Sequence, residues 1–183
     1  MLFGALAKNP AWIARYTGAG EARVAAAREA ILEQRRREQL IFCRWTLVMF
    51  HFEKALYADP EQDLNRLWWD LVEKHQFLRR PPRRDRADWA AKPHFTIAPV
   101  YYHNYMLGEL FAAQLRAALA RLAGHQGPPA ELALHDREEI GAYLKESVFG
   151  PGKLIPWPRL VELATGAPLT AKHFAAEVSP PPK

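Results

Sequence analysis

The chain has 183 residues, of which 49% are hydrophobic and 25% are charged, and its formal net charge is +5. This length fits one ordinary domain with a real core, and the hydrophobic content excludes a disordered or low-complexity protein. The positive charge raises nucleic acid as a partner, but much of the excess comes from one arginine-rich helix and one arginine-rich loop. We therefore predict a single helical domain over residues 1–183 and no nucleic-acid partner.

The first half of the chain has the patterns of helices. Residues 1–16 have the character of the end of a helix. A long helix is predicted over residues 21–58, charged in its first part and apolar nearly all round in its second. The next helix is predicted to begin with Asp59 as N-cap and Pro60 in the first position, because these residue types favour those places, and to end near His75.

The apolar half of the long helix is too short to cross a membrane. It covers residues 40–52 and is interrupted by Arg44 and His51, whereas a membrane-spanning helix needs roughly 20 apolar residues. Residues 1–8 also lack the positively charged start of a signal peptide. We expect no membrane span in this chain.

An arginine- and proline-rich segment, residues 79–91, follows the second long helix. Its prolines predict a loop. Nucleic-acid binding would require aromatic side chains or an element that fits a groove beside the arginines, and neither is evident. We interpret the segment as a basic surface loop.

The second half of the chain is helical again. Further helices are predicted over residues 99–122, 135–149, 156–163 and 171–178. Gly124 is the predicted C-cap of the first of these, and Asp136 is predicted to open the second. Residues 179–183 are rich in proline and are predicted to be a disordered tail. Because strand alternation and internal repeats are both missing from the sequence, the predicted fold class is all-α.

The residues best suited to ligand binding or catalysis lie between Lys92 and Tyr105. This stretch contains one lysine, two histidines and three tyrosines within fourteen residues. Lysine and tyrosine suit an anionic ligand, and tyrosine and histidine donors suit an oxyanion that develops during carbonyl chemistry. The alternative is a buried aromatic helix start whose hydroxyl groups bond to the backbone, and the residues alone leave both interpretations open.

Two prolines organise this stretch. With Pro99 in the first turn of a helix, Tyr102 and Tyr105 are three residues apart and share one face. Pro93 disfavours helical geometry at Lys92, so Lys92 and His94 are expected on an extended segment that leads into the helix.

Other catalytic motifs are missing from the sequence. The nearest approach to the zinc motif His-Glu-x-x-His is residues 135–139, which differ from it at two positions. The sequence has no glycine-rich phosphate loop and no nucleophile elbow, and Cys43 lies in an apolar run rather than in a polar, electropositive setting. We therefore predict no metal ligands and no cofactor in this chain.

A series of motifs resembles the angiotensin-converting enzyme family, which are zinc peptidyl-dipeptidases that remove dipeptides from the C-terminus of a peptide. The motifs span nearly the whole chain, in the same order and with matching spacing: Asn65 with Trp68-Trp69, Pro81-Pro82, Lys92-x-His94, Tyr102-x-x-Tyr105, Gly124-His125-x-Gly127-Pro128, Pro156-Trp157-Pro158 and Thr165-Gly166-x-Pro168. The resemblance covers only the C-terminal portion of the family. It implies antiparallel helices that form the C-terminal subdomain of a larger, mostly helical metallopeptidase fold.

The resemblance also implies a role for each residue of the candidate site. Lys92 and Tyr102 would bind the C-terminal carboxylate of the peptide, His94 would donate to a substrate carbonyl, and Tyr105 would stabilise the oxyanion. Counting back from Gly124-His125 gives Tyr102 for the carboxylate, whereas counting forward from Lys92 gives Tyr101. We prefer Tyr102 because it keeps the three-residue spacing to Tyr105, and Tyr101 remains the rival.

Two further expectations follow from the same resemblance. Where animal enzymes of the family bind chloride through arginines, this chain has Val72 and Asn104, so chloride activation is not expected. Met1 is expected to align just after the last zinc ligand of the family, which places the zinc motif outside this chain.

The chain alone is then predicted to be inactive. Its expected partners are a peptide C-terminus and either the missing N-terminal half or a second copy, held through an exposed apolar face. The alternative is a non-catalytic helical module that binds peptides or other proteins.

Overall fold

The computed structural model describes residues 2–179 and confirms the all-α prediction, since no strand occurs among those residues. The α-helices are α1 (Pro10–Tyr16), α2 (Glu21–Ala58), α3 (Leu64–Gln76), α4 (His103–Leu122), α5 (Glu138–Leu144), α6 (Trp157–Thr165) and α7 (Lys172–Val178). Short 3-10 helices cover Phe3–Lys8, Asp88–Ala91, Pro93–Phe95 and Pro129–Glu131, and a π-helical turn covers Lys145–Phe149. Among the described residues, none of these helices combines the length and apolar character that a bilayer crossing requires.

The chain divides into two compact units. One unit comprises Met1–Arg37 and Gly108–Lys183, and the other comprises Glu38–Leu107. We call them the terminal unit and the central unit. The single domain predicted over residues 1–183 stays a prediction, and residues 180–183 of the predicted tail lie outside the described residues.

The core of the central unit is built on the apolar half of α2. That half is apolar on most sides, so residues from several directions pack against it. The buried residues are Val48, Met49, Phe52, Trp68, Val72, Phe95 and Tyr102. Two members of this core, Phe95 and Tyr102, come from the stretch with the candidate chemistry, so that stretch is fixed to the core.

The core of the terminal unit lies between α4, α5 and α6. Its buried residues are Leu115, Leu119, Ala120, Leu132, Ile140, Leu144 and Ala164. A buried ion cluster joins α7 to this unit: the Glu177 carboxylate accepts hydrogen bonds from Arg116 at 2.8 and 2.6 Å and from Arg35 at 3.3 Å. The side chains of all three residues are at most 6% exposed.

Two predicted helix boundaries are confirmed. Helix α2 covers Glu21–Ala58, as its pattern predicted. Helix α4 ends as predicted before Gly124, which has φ +60°. The N–H groups of Gly124 and His125 donate to Arg121 and Ala120, the pair of bonds that defines a Schellman motif.

The predicted start of the second long helix is wrong. Helix α3 begins at Leu64, and its N-cap is Asp63, whose side chain accepts from the N–H of Arg66. Asp59 instead accepts from the N–H of Glu61 within a turn. The side-chain amide of Gln62 donates to the carbonyls of Ala55 and Asp59, and thus occupies the end of α2.

Two other predicted helix starts are also wrong. Helix α4 begins at His103 rather than in the turn of Pro99, because the chain turns sharply at Val100, where φ is +54°. Asp136 does not open a helix, since its own φ is +57° and α5 begins at Glu138. His94 lies in the 3-10 turn Pro93–Phe95 rather than on an extended segment.

Candidate functional site

Three predicted site residues come together in the central unit as a cluster of rings. The His94 ring lies 4.8 Å from the Tyr102 ring and 5.9 Å from the Tyr105 ring, measured between centroids, and faces both edge-on. The two tyrosine rings are 4.9 Å apart. The cluster therefore places one imidazole ring and two phenol rings within 6 Å of one another.

Local backbone structure explains how these rings meet. Lys92 is extended, with φ −94° and ψ 104°, which agrees with the restriction that Pro93 places on it. The 3-10 turn Pro93–Phe95 then buries Phe95 and holds His94 beside it. Tyr102 lies just before α4, and the N–H of Tyr105 donates to its carbonyl at 3.1 Å, so the two tyrosines share a turn.

A strained residue sits directly before the tyrosines. Val100 has φ +54°, a conformation that a β-branched residue rarely adopts. Its N–H donates to the carboxylate of Glu53 on α2 at 2.5 Å, and Glu53 is buried, with 6% of its surface exposed. Glu53 thus fixes the turn from which Tyr101 and Tyr102 leave in different directions.

Lys92 lies against aromatic faces rather than against a carboxylate. Its ammonium nitrogen is 5.4 Å from the ring centroid of Trp45 and 5.8 Å from that of Trp68. Both distances are within the range of a cation–π contact. Within the described part of the chain Lys92 forms no ion pair, although its positive charge contributes to lowering the pKa of Asp88.

The sequence left open whether Tyr101 or Tyr102 binds the carboxylate. Of these two tyrosines, Tyr102 is the buried one. It is 7% exposed, whereas Tyr101 is 48% exposed and contacts Tyr105 at a ring distance of 5.7 Å. Burial raises the pKa of the Tyr102 phenol, and the nearby Trp45 side chain opposes that rise. Trp45 therefore lies against Lys92 and in the vicinity of Tyr102.

The segment that carries Lys92 is tied to α3 by two hydrogen bonds. The indole N–H of Trp69 donates to Asp88 at 3.1 Å, and the indole N–H of Trp89 donates to Asn65 at 3.1 Å. The Arg84 guanidinium also donates to Asp88 and is the main reason that the pKa of this carboxyl lies below its ordinary value.

Sequence reasoning missed three residues of this arrangement. Trp45 lies in the apolar run of α2, so no local pattern distinguishes it from a core residue. Glu53 is one of many charged residues of α2, and no local pattern shows that it is buried. Asp88 stands in a segment predicted to be loop, and it lies in the short helix Asp88–Ala91. Each acts through a contact with a residue distant in sequence, which a local pattern does not reveal.

Comparison with known proteins identifies the family. The model of the peptidase family described as angiotensin-converting enzyme matches residues 40–176. The chain belongs to the angiotensin-converting enzyme family. The match includes the whole ring cluster and confirms the resemblance carried by the sequence motifs.

Curated members of the family are similar over much of this chain. The angiotensin-converting enzyme of Mus musculus is 33% identical over 110 residues, which are 59% of this chain and 8% of that protein. That of Sus scrofa is 32% identical over 127 residues, 68% of this chain and 9% of that protein. That of Theromyzon tessulatum is 28% identical over 123 residues, 66% of this chain and 20% of that protein. This chain therefore spans a fifth or less of each of these relatives.

The family is zinc-dependent, and the described residues do not fit a zinc ion. Within residues 2–179, no three side chains of histidine, cysteine, aspartate or glutamate converge on a point where a metal could be held. The thiol of Cys43 does not offer an activated nucleophile either, since burial raises its pKa. What the ring cluster and the nearby Lys92 offer is one cation and several hydrogen-bond donors.

Proposed function

We propose that this chain supplies the substrate-carboxylate and oxyanion contacts of a peptidyl-dipeptidase site. Lys92 and Tyr102 bind the C-terminal carboxylate of a peptide. His94 donates to a substrate carbonyl, and Tyr105 stabilises the oxyanion. An enzyme that removes a dipeptide measures its cut from the end of the chain, so a fixed cation and a fixed hydroxyl must hold that end.

The observation that carries the proposal is the convergence of His94, Tyr102 and Tyr105. Lys92 lies on Trp45 and Trp68, which belong to the same core as Tyr102. Membership of a peptidyl-dipeptidase family supports the same roles. The burial of Tyr102 and its contacts support Tyr102 over Tyr101 as the carboxylate-binding tyrosine. Tyr101 is half exposed and joins the cluster only through Tyr105.

Titration of the chain with a peptide and with its amide tests the proposal. We would use an N-acetylated alanine tripeptide with a free carboxylate and the same tripeptide as its amide, followed by NMR chemical shifts. A hydrogen bond to a charged group contributes about 1.5–3 kcal/mol, so the free acid is expected to bind roughly tenfold to a hundredfold more tightly. Lys92→Gln is expected to remove this difference, whereas Lys153→Gln, at an exposed position in the terminal unit, is expected to preserve it.

The results that would contradict the proposal are specific. If the chain binds neither peptide, or binds acid and amide equally, Lys92 does not grip a carboxylate. If Tyr101→Phe removes the preference and Tyr102→Phe does not, the rival tyrosine has the role. Chemical-shift changes confined to the terminal unit would also reject the site.

We further propose that the chain binds peptides without cleaving them. Its described residues supply donors and a cation but no ligand set for a metal that would activate water. Incubation of a peptide with the chain and added zinc is therefore expected to release no dipeptide, as judged by mass spectrometry. Stoichiometric zinc binding accompanied by dipeptide release would overturn this part of the proposal.

The central unit also exposes apolar side chains that suit a partner. Phe77, Ile97 and Leu78 are 75%, 82% and 58% exposed. We propose that this surface contacts either the remaining portion of a family protein or a second copy of the chain. Sedimentation that shows a monomer at all concentrations would exclude the second copy.

A further inference from the structure

Two tryptophan rings form a corner in the central unit. The rings of Trp45 and Trp68 meet edge-to-face, with their centroids 5.7 Å apart and an angle of 87° between their planes. The ammonium nitrogen of Lys92 lies over both rings, 5.4 Å from the centroid of Trp45 and 5.8 Å from that of Trp68. We call this pair of rings the tryptophan corner. A cation inside it faces two aromatic surfaces at once, and each of them attracts it.

The tryptophan corner is fixed by the core of the central unit. Trp68 is buried, and its ring meets those of Phe52 and Phe95 edge-on, at centroid distances of 5.2 and 6.4 Å. Trp45 is half-buried on α2 and packs against the same core. A lysine side chain is long and flexible, so its charged end has a defined place only where its surroundings hold it. The two fixed ring faces hold the end of Lys92.

An aromatic face holds a cation differently from a carboxylate. A carboxylate would neutralise the ammonium and accept its hydrogens, whereas an aromatic face attracts the charge without neutralising it. Asp88 senses the charge of Lys92, which helps to lower the pKa of that carboxyl, but its ion pair is with Arg84. The tryptophan corner therefore fixes the ammonium of Lys92 and leaves it a cation.

We propose that Trp45 and Trp68 are positioning residues for the carboxylate-binding lysine: their faces hold the Lys92 ammonium where the C-terminus of a peptide meets it. This inference rests on the proposed function, because it names how the same site is organised. Neither tryptophan touches the substrate in this scheme, and both act through Lys92.

The test weakens the cation–π contact and keeps the shape of the ring. Tryptophans with one to four ring fluorines are incorporated at position 45, since fluorine withdraws electrons from the face that attracts the cation. The preference for the acetylated tripeptide acid over its amide is expected to fall step by step, by about twofold to fivefold at four fluorines, the factor for a cation–π contact at a partly exposed site. The same series at Trp157, an exposed position in the terminal unit, is expected to leave the preference unchanged.

Two readouts separate a positioning role from simple packing. In urea, the fluorine series at position 45 is expected to raise the unfolding equilibrium constant progressively, relative to the same series in a Lys92→Met background. Methionine keeps a long apolar side chain without a charge, so effects of fluorine on packing cancel in this comparison. By NMR, the Hε resonances of Lys92 are expected upfield of those of an ordinary lysine, because they lie over two rings. Trp45→Leu is expected to move them back.

The failures of the two proposals are distinguishable. If the unmodified chain does not prefer the acid over the amide, the proposed function fails and this inference fails with it. If the chain prefers the acid but the preference is independent of the number of fluorines, only the positioning role is overturned. A preference that rises with the number of fluorines would mean that the rings draw Lys92 away from the ligand, and it would overturn the positioning role too. Should Trp45→Leu unfold the chain, the fluorinated variants, which keep the ring, decide alone.

Discussion

The indole N–H of Trp69 donates a 3.1 Å hydrogen bond to the carboxylate of Asp88, and this contact ties the segment that carries Lys92 to helix α3. A second bond runs beside it, from the indole N–H of Trp89 to the side-chain oxygen of Asn65. Asn65 also donates to Asp85 at 3.0 Å. Two hydrogen bonds from tryptophan side chains therefore fix the loop just before Lys92, one of the residues proposed to bind the carboxylate.

The first prediction concerns Asn65. Asn65→Ala removes the acceptor of Trp89 and the donor to Asp85, and each neutral hydrogen bond contributes about 0.5–1.5 kcal/mol. We expect a lower free energy of unfolding in urea and severalfold weaker binding of the tripeptide acid, because Lys92 is held less firmly. Gln126→Ala provides the control, since Gln126 is exposed and bonds only to the nearby carbonyl of Gly124. Unchanged affinity in Asn65→Ala would show that these bonds do not position Lys92.

The helix boundaries were predicted correctly where only one residue satisfied the local sequence rule. The pattern of α2 gave its full extent, and the glycine after α4 predicted a C-terminal motif that the backbone bonds confirm. Asp59 and Asp63 both satisfy the rule for a helix N-cap. The choice between them depends on Gln62, whose side chain occupies the end of α2, and no rule for single positions contains that contact.

The sequence singled out the candidate residues but did not show how they are arranged. Lys92, His94, Tyr102 and Tyr105 stood out because their chemistry and spacing are local features of the sequence. The start of α4 was misplaced because Glu53, 47 residues away in sequence, binds the N–H of Val100. Trp45 looked like one more apolar residue of a buried helix, and its contact with Lys92 joins residues that are distant in sequence.

The second prediction concerns the buried ion cluster of the terminal unit. Glu177 accepts from both Arg35 and Arg116, and all three side chains are nearly inaccessible to solvent. Glu177→Gln removes the negative charge that pairs with two buried guanidinium groups. Removing one partner of a buried ion pair lowers the free energy of unfolding by about 3–5 kcal/mol. Urea unfolding is expected to show a loss of this order.

An exposed pair provides the control for that measurement. Glu162→Gln breaks the pair with Arg159, whose side chain is 60% exposed, and such pairs contribute less than about 1 kcal/mol. A similar small effect of Glu177→Gln would mean that the cluster is not needed to hold α7.

The third prediction concerns pH and His75. Burial lowers the pKa of His75, and the nearby charges of His51, Lys74 and Arg44 act in the same direction. The rings of His51 and His75 are stacked, with centroids 5.4 Å apart. A histidine with a lowered pKa binds fewer protons in the folded state than in the unfolded state, so stability rises with pH in that range.

The expected result is a loss of stability on acidification. The free energy of unfolding is expected to fall as pH drops below about 6.5, the ordinary value for histidine, and to level off below the folded-state pKa of His75. His75→Gln is expected to remove part of this slope, with His173 retaining a share because burial also lowers its pKa. His51→Gln is expected to bring the pKa of His75 closer to its ordinary value in an NMR titration. A slope unchanged by His75→Gln would contradict the assignment.

The last prediction concerns the strained turn before the tyrosines. Val100 has φ +54°, and a left-handed conformation costs a non-glycine residue about 1–2 kcal/mol. Val100→Gly removes this strain. It also makes the unfolded chain more flexible, which raises the entropic cost of folding by about 0.5–1 kcal/mol. The net expectation is a gain of up to about 1.5 kcal/mol in the free energy of unfolding, the difference of these two effects.

Val100→Ala separates strain from the loss of side-chain atoms. Alanine keeps the penalty of a side chain at positive φ, so we expect it to stabilise the chain less than glycine does. Because the N–H that donates to Glu53 is retained in both variants, neither is expected to change the affinity for the tripeptide acid. Glu53→Gln replaces the buried carboxylate that accepts this bond, and it is expected to destabilise the chain and weaken binding together. If glycine destabilised the chain more than alanine did, the turn would not be strained in solution.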